Sequence, residues 1–218
     1  MNGQSKKHSP DKKHSADIVK LAQSWWQVLQ PDPERGKKGN KGALAQLRRC
    51  HSIPELLLEP FVQNLIQSYC QDSAVDNTIL KNQILRLALV CGVLALVREK
   101  DTEKSVARRI GPEKGGDEST ALCKPIRFSR LLRAESLEEC LRGFRRLVKL
   151  MGNKVNIADL IEGVFYWPKS DECSQSQREY YNKRAEDIRI KWVFQYWDAG
   201  KLGEDDEPEG PTNEIEKE

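Results

Sequence analysis

Ser136-Leu-Glu-Glu-Cys-Leu-Arg-Gly-Phe-Arg-Arg-Leu-Val-Lys-Leu-Met151 is the stretch on which the fold turns. It opens on a capping box: Ser136 and Glu139 are spaced to satisfy two backbone N–H groups that a first helical turn leaves free. At about 100° per residue, Leu137, Cys140, Leu141, Phe144, Leu147, Val148 and Met151 fall within roughly 120° of arc. Arg142, Arg145, Arg146 and Lys149 fall on the opposite side, within roughly 100° of one another. The pattern predicts a helix over 137–151 with one face in a core and the other carrying four cations. A solvated face is the plainer reading of the second side, but solvated faces usually mix signs. Like charges four residues apart repel by about 0.2–0.5 kcal/mol, and both Arg142–Arg146 and Arg145–Lys149 are such pairs. With no intervening acid, the face points to an anionic partner.

Outward from that helix the same period recurs. A short helix is expected over 126–133, and another from Asn156, with Asp159 in its first turn, to Pro168. Residues 169–177 read as a polar loop. A last helix over 178–197 places Tyr181, Ala185, Ile188, Trp192 and Tyr196 on one side. In the first half, Ser15 is placed to cap a helix in which Ile18, Leu21, Ala22, Trp25 and Leu29 recur, and Pro31 and Pro33 end it. A cationic loop follows, with Arg35, Lys37, Lys38 and Lys41 among Gly36, Gly39 and Gly42, and with Asn40 suited to left-handed backbone. It leads into a short helix closing on Arg48 and Arg49. A helix over 55–69 contains Pro60, so it starts later or kinks there. Residues 79–98 form the long core helix, and 103–110 a short one. Gly111-Pro-Glu-Lys-Gly-Gly-Asp-Glu118 is the strongest punctuation in the chain.

No segment alternates with a period of two. The expected architecture is all-α, two small helical bundles in series: 16–112 and 125–200, joined by a linker at 113–124. The 218 residues suit that division. Residues 1–15 read as a disordered basic tail and 201–218 as a disordered acidic one.

Charge is informative by region. The total is +3, from 36 basic and 33 acidic residues. The stretch 203–218 holds eight acids and one lysine. Without it the body has 35 basic and 25 acidic residues, about +10. A basic body points to a polyanion, most often nucleic acid. Flexible cations beside a helix, as at Lys41, Arg48 and Arg49, suit contacts that position a phosphate backbone without reading bases. One of that arginine pair is expected to be structural, because cations are favoured at a helix C-terminus. Among the tryptophans, Trp25 and Trp192 read as core, while Trp26, Trp167 and Trp197 are candidates for exposure, base stacking or packing between the bundles.

Other classes find little support. Residues 84–97 form the longest apolar stretch and contain Arg86, whereas a membrane span needs about 20 apolar residues, so no membrane partner is expected. The N-terminus has no apolar core of a secretory signal. Six cysteines lie at least seventeen residues apart with no C-x-x-C, the usage of a reducing cytoplasm. Cys50–His51 is a poor start for a zinc site. Nucleotide-binding, metalloprotease, deaminase and nucleophile-elbow motifs are all missing. The expectation is no enzyme, no cofactor and no metal.

Several motifs, taken in order, resemble a known family. Trp25-Trp26-Gln27-Val28-Leu29, Ala45-Gln46-Leu47-Arg48-Arg49, Ile53-Pro54 and Phe61 stand in the first half. Arg127-Phe128-Ser129-Arg130-Leu131-Leu132-Arg133-Ala134, Phe144-Arg145-Arg146-Leu147-Val148, a segment from Val155-Asn156 to Trp167, and a final helix with Trp192 and Tyr196 stand in the second. Over about residues 16–198 the chain resembles the CasB family, the small subunit of the type I-E CRISPR surveillance complex, Cascade. The resemblance implies an all-helical, non-catalytic subunit, present as a head-to-tail pair and in contact with other Cascade subunits. It also implies contact with the guide RNA, the target DNA and the displaced DNA strand. Carried across by motif, the contact residues are Arg48, Arg49, Arg127, Arg130, Arg142, Arg145 and Arg146, with Arg133, Lys149 and Lys41 as second choices. The basic N-terminal tail, the polar insert at 169–177 and the acidic C-terminal tail depart from the family pattern. A general helical RNA- or DNA-binding protein, or a protein–protein adaptor using exposed aromatics, remains open on the residues alone.

Overall fold

The computed structural model describes residues 10–32, 34, 36–71, 77–113, 117–169 and 174–197. Both tails in the main, and residues 114–116 of the expected linker, lie outside these. Among the described residues there are ten α-helices: α1 Pro10–Leu29, α2 Lys41–Arg49, α3 Ile53–Leu58, α4 Pro60–Gln71, α5 Asn77–Leu94, α6 Val106–Ile110, α7 Pro125–Leu132, α8 Leu137–Leu150, α9 Ile157–Tyr166 and α10 Gln175–Trp197. Two two-residue strands, β1 Glu99–Lys100 and β2 Lys154–Val155, pair in parallel. The chain is predominantly all-α, as its periodicity predicts.

Local chemistry accounts for most boundaries. Ser136 and Glu139 form the capping box of α8, with both halves of the reciprocal pair present. Asn156 caps α9 by accepting from the Asp159 amide. Such caps contribute about 1 kcal/mol each. Pro60 divides the expected 55–69 helix in two, because proline opens a helix easily and cannot sit inside one; Ser52 caps the first piece. Asn40 is not left-handed: at φ −117° it caps α2, accepting from the Ala43 amide. The left-handed positions of the loop are Gly36 and Gly39. A Cβ on Gly39 would stand 2.5 Å from the Pro31 nitrogen, so only glycine lets the loop fold back over the end of α1. Helix α1 begins five residues before the expected Ser15 cap. Ser15 is buried instead, its hydroxyl 3.4 Å from Oε1 of Glu162 on α9.

α5 is the central element. Its residues Leu87 to Val90, and the chain on to Val97, are buried, each large side chain contributing about 1.5–3 kcal/mol on burial. First-half helices α1, α3 and α4 pack on it, and so do second-half helices α8 and α9. Gly92 makes this close packing workable, since a Cβ there would meet Leu56 of α3 at 2.6 Å and Leu141 of α8 at 2.9 Å. Residues of both halves share one hydrophobic cluster. Arg86 is the charge buried within it. Its guanidinium donates to Asn82 Oδ1 (2.6 Å), Phe165 O (2.8 Å) and Pro168 O (2.9 Å) and lies 4.3 Å from the Tyr181 ring centre. A buried charge is tolerated only when satisfied in this way.

Trp26 and Trp167 are buried, not exposed. The Trp26 indole donates to Val97 O and the Trp167 indole to Leu131 O, and Trp167 sits in an aromatic cluster with Phe144 and Trp192. Trp197 is 46% exposed. Gly111, which opens the 111–118 punctuation at the end of the first half, is buried and packs on α10: a Cβ there would collide with the Tyr196 carbonyl oxygen. Among the described residues no helix is long and apolar enough to cross a membrane.

Candidate nucleic-acid interface

Helices α7 and α8 are joined by the short turn through Arg133 and Glu135. On α7, Phe128 and Leu131 face inward, leaving Arg127 and Arg130, three residues apart, on the exposed side. Arg133 follows at the helix end, also exposed. On α8, Arg142 and Arg146 are exposed one turn apart. All five line one groove of about 630 Å³ between the helices, over Leu131, Ala134, Leu147 and Leu150. Gly143 brings the walls together: a Cβ there would lie 2.8 Å from Cδ1 of Leu131.

The charge balance of the groove is one-sided. Glu139 is the single acid lining it, and its Oε2 already accepts the amides of Glu135 (3.1 Å) and Ser136 (3.2 Å). Those amides hold its carboxyl below the ordinary range. None of the ion pairs among the described residues includes Arg127, Arg130, Arg133, Arg142 or Arg146. Five guanidinium groups on concave walls concentrate positive potential, which attracts polyanions.

The remaining candidates divide. Arg145, on the same predicted face, turns inward. Its Nε donates to Gly92 O (2.9 Å), its Nη2 to Leu47 O (2.7 Å) and its Nη1 to Cys50 O. Leu47 and Gly92 lie in the last turns of α2 and α5, where carbonyls have no intrahelical partner. Arg145 therefore closes two helix ends at once, and burial lowers its pKa. Arg48 does related work, its Nε donating to Ala95 O at 2.7 Å just past α5. Burial, then the nearby Arg98, lower its pKa. Sequence reasoning placed Arg145 and Arg48 among backbone contacts; the structure gives their guanidiniums carbonyl partners within the fold. Arg49 is exposed, in a shallow depression that also has Glu55 and Glu59 on its wall. Lys149 is exposed outside the groove. Lys41 lines a separate open depression with Lys37 and Lys38.

Two residues that hold the groove escaped sequence reasoning. Arg189 on α10 donates through Nη2 to Ala134 O (3.0 Å) and Trp167 O (2.8 Å), fixing the α7–α8 turn. The Tyr196 hydroxyl donates to Cys123 O at 2.7 Å, and its ring stacks on Phe128 with centroids 4.6 Å apart. Tyr196 was legible only as an apolar-face residue, and nothing in the polar side of α10 marks Arg189. Among the described residues no group of three or more His, Cys, Asp or Glu side chains could hold a metal ion.

A family model described as CRISPR-associated protein Cse2 (CRISPR_cse2) matches residues 43–197. That stretch takes in α7, α8 and the whole groove and begins within α2, so Trp25-Trp26 and the cationic loop lie outside it. The fold is similar to that of CasB from Thermus thermophilus, with a TM-score of 0.51 and 16% identity, covering 87% of this chain and 98% of that one. A chain of E. coli Cascade bound to a PAM-containing double-stranded DNA target matches with a TM-score of 0.45 and 17% identity, over 79% of this chain and 96% of that one. No curated protein matches the chain.

Proposed function

The chain belongs to the CRISPR-associated Cse2 family, and from that premise we propose that it is the non-catalytic small subunit of a type I-E, RNA-guided DNA surveillance complex. In this reading it works in the cytoplasm, beside other Cascade subunits and as a head-to-tail pair. Its task is to hold nucleic-acid backbone, and so to stabilise the R-loop formed by the guide RNA, the target DNA and the displaced strand. The observation that carries the reading is the α7–α8 groove, whose five arginines make no ion pair among the described residues.

The physics suits the task. Guide–target pairing supplies the sequence information, so a subunit of this kind needs affinity for phosphate and none for bases. R-loop formation is a near-balanced exchange of one duplex for another. A few arginine–phosphate contacts, each a charge-assisted and often bidentate hydrogen bond, are then enough to tip it. Arg127, Arg130, Arg142 and Arg146 are the primary contacts and Arg133 the next. Arg49, Lys41 and Lys149 extend the basic surface, and Arg145 and Arg48 act by positioning α2 and α5 against α8. The exposed apolar residues Ile190, Phe194 and Trp197, spaced four and three apart on α10, suit contact with neighbouring subunits.

The test is reconstitution. Purified with the other subunits and a guide RNA, the chain is expected to enter the complex and raise R-loop yield on target DNA. With Arg127→Ala, Arg130→Ala and Arg146→Ala together, it should still enter the complex but lose most of that gain. A triple variant that supports R-loops as well as the native chain removes the groove from the function. Failure to join the complex at all removes the subunit assignment.

A further inference from the structure

We propose that the acidic segment 204–218 of this chain docks in the α7–α8 groove and competes there with nucleic acid; the idea rests on reading the groove as a polyanion site. Three observations meet at this place. α10 ends at the rim of the groove: Tyr196 stacks on Phe128 and donates to the carbonyl of Cys123, a residue of the groove wall. The chain therefore continues past Trp197 from beside the arginines. Next, Glu204-Asp205-Asp206-Glu207-Pro208-Glu209 places five carboxylates in six residues, against five guanidiniums and the already occupied Glu139. Last, the reach is sufficient. Residues 198–203 span up to about 20 Å at about 3.3–3.6 Å each, and α7, at 1.5 Å per residue, is only about 12 Å long.

Carboxylates and phosphates are recognised by arginine through the same forked pair of hydrogen bonds, so the segment presents the groove with a substitute for a phosphate backbone. A short tether holds a docking segment at an effective concentration in the millimolar range. A contact with an intrinsic dissociation constant of about 0.1 mM would then be occupied about nine-tenths of the time, weakening nucleic-acid binding about tenfold. A long strand, with many phosphates and counterions to release, displaces the segment where a short or incidental one does not. The docked segment thus discriminates against incidental nucleic acid.

The experiment compares the full chain with one ending at Leu202, each with and without Arg127→Ala and Arg130→Ala, after circular dichroism shows all four folded. Fluorescein-labelled dT30 is titrated by anisotropy at low and high salt, and a labelled peptide of residues 203–218 is titrated separately. Truncation is expected to tighten dT30 binding about tenfold at low salt, with the gap nearly closed at high salt, where ionic contacts are screened. The gain should vanish in the arginine variant, and the peptide should bind the truncated chain and not its arginine variant. An equal gain in both backgrounds would mean general charge repulsion in place of docking, and overturns the proposal. If dT30 binding needs the arginines yet truncation changes nothing and the peptide does not bind, the docking is wrong and the groove reading stands. If the peptide binds through the arginines while no chain binds dT30, the docking stands and the nucleic-acid reading falls.

Discussion

Arg145 and Arg146 are adjacent on one helix and belong to one predicted cationic face, yet they meet different fates. Arg146 stands in an open groove with four other arginines. Arg145 reaches across to α2 and α5 and gives its guanidinium to three carbonyls. A helical wheel sorts a face from a core, but it does not know what packs along the edge of that face. Two helices ending beside α8 leave carbonyls with no partner, and the nearest arginine is drawn to them. The like-charge pair Arg145–Lys149 is thereby relieved from within the protein, whereas Arg142–Arg146 still faces outward.

The sharpest way to break this contrast is to truncate each neighbour in turn. Arg145→Ala leaves three carbonyls unsatisfied, each worth about 1 kcal/mol or more, so urea denaturation should show a loss of about 3 kcal/mol. Arg146→Ala should change stability by no more than about 0.5 kcal/mol, as surface substitutions do. Equal losses for the two would erase the distinction. Next in size is Gly111→Ala. Its Cβ would collide with the Tyr196 backbone, and overpacking of this kind costs about 1–3 kcal/mol, measurable as a lower Tm. Because Tyr196 supports the groove wall, the same variant is expected to weaken binding of single-stranded DNA.

Binding should run opposite to stability. Arg127→Ala, Arg130→Ala, Arg142→Ala or Arg146→Ala is each expected to lose several-fold in single-strand affinity with unfolding unchanged. Arg49→Ala should lose less, because Glu55 and Glu59 already share its depression. The smallest expected effect is from Glu139. Its carboxyl lies below the ordinary 4.5 because the Glu135 and Ser136 amides favour the ionised form. Its contribution is therefore full above that ordinary value and lost as pH falls through the lower folded-state value. The stability difference between the native chain and Glu139→Gln should be flat from pH 5 to 8 and shrink below about pH 4.

Much of the fold is legible in the sequence. The capping box, the core faces of α8 and α10, the Pro60 break and the Asn156 start all follow from local rules, and local rules are where a sequence speaks directly. A local rule, the preference for cations at a helix C-terminus, leads to the expectation that one of Arg48 and Arg49 is structural. Arg48 does donate to a carbonyl, but to that of Ala95, 47 residues away, and not to one at the end of its own helix. What was not legible depends on long-range neighbours. Trp26 lies off the apparent apolar face of α1 and Trp167 just past the end of α9, yet each finds a carbonyl and a buried site, at Val97 and Leu131, supplied by distant segments. Arg145 is the same case, with partners 53 to 98 residues away. The two-residue pairing of β1 with β2 is too short to leave a pattern of two. The groove itself was visible as two separate arginine clusters, at 127–133 and 142–146, but only the approach permitted by Gly143 turns them into one surface.

The measurement that bears most directly on the central claim is the salt dependence of single-strand binding by the Arg127→Ala, Arg130→Ala, Arg146→Ala chain against the native one. With each backbone phosphate contact contributing about 0.7 to the log–log slope, the slope should fall by about 2, equally for two unrelated sequences. An unchanged slope in a chain that unfolds normally would contradict the assignment of these arginines to phosphate, and a loss confined to one sequence would contradict backbone recognition.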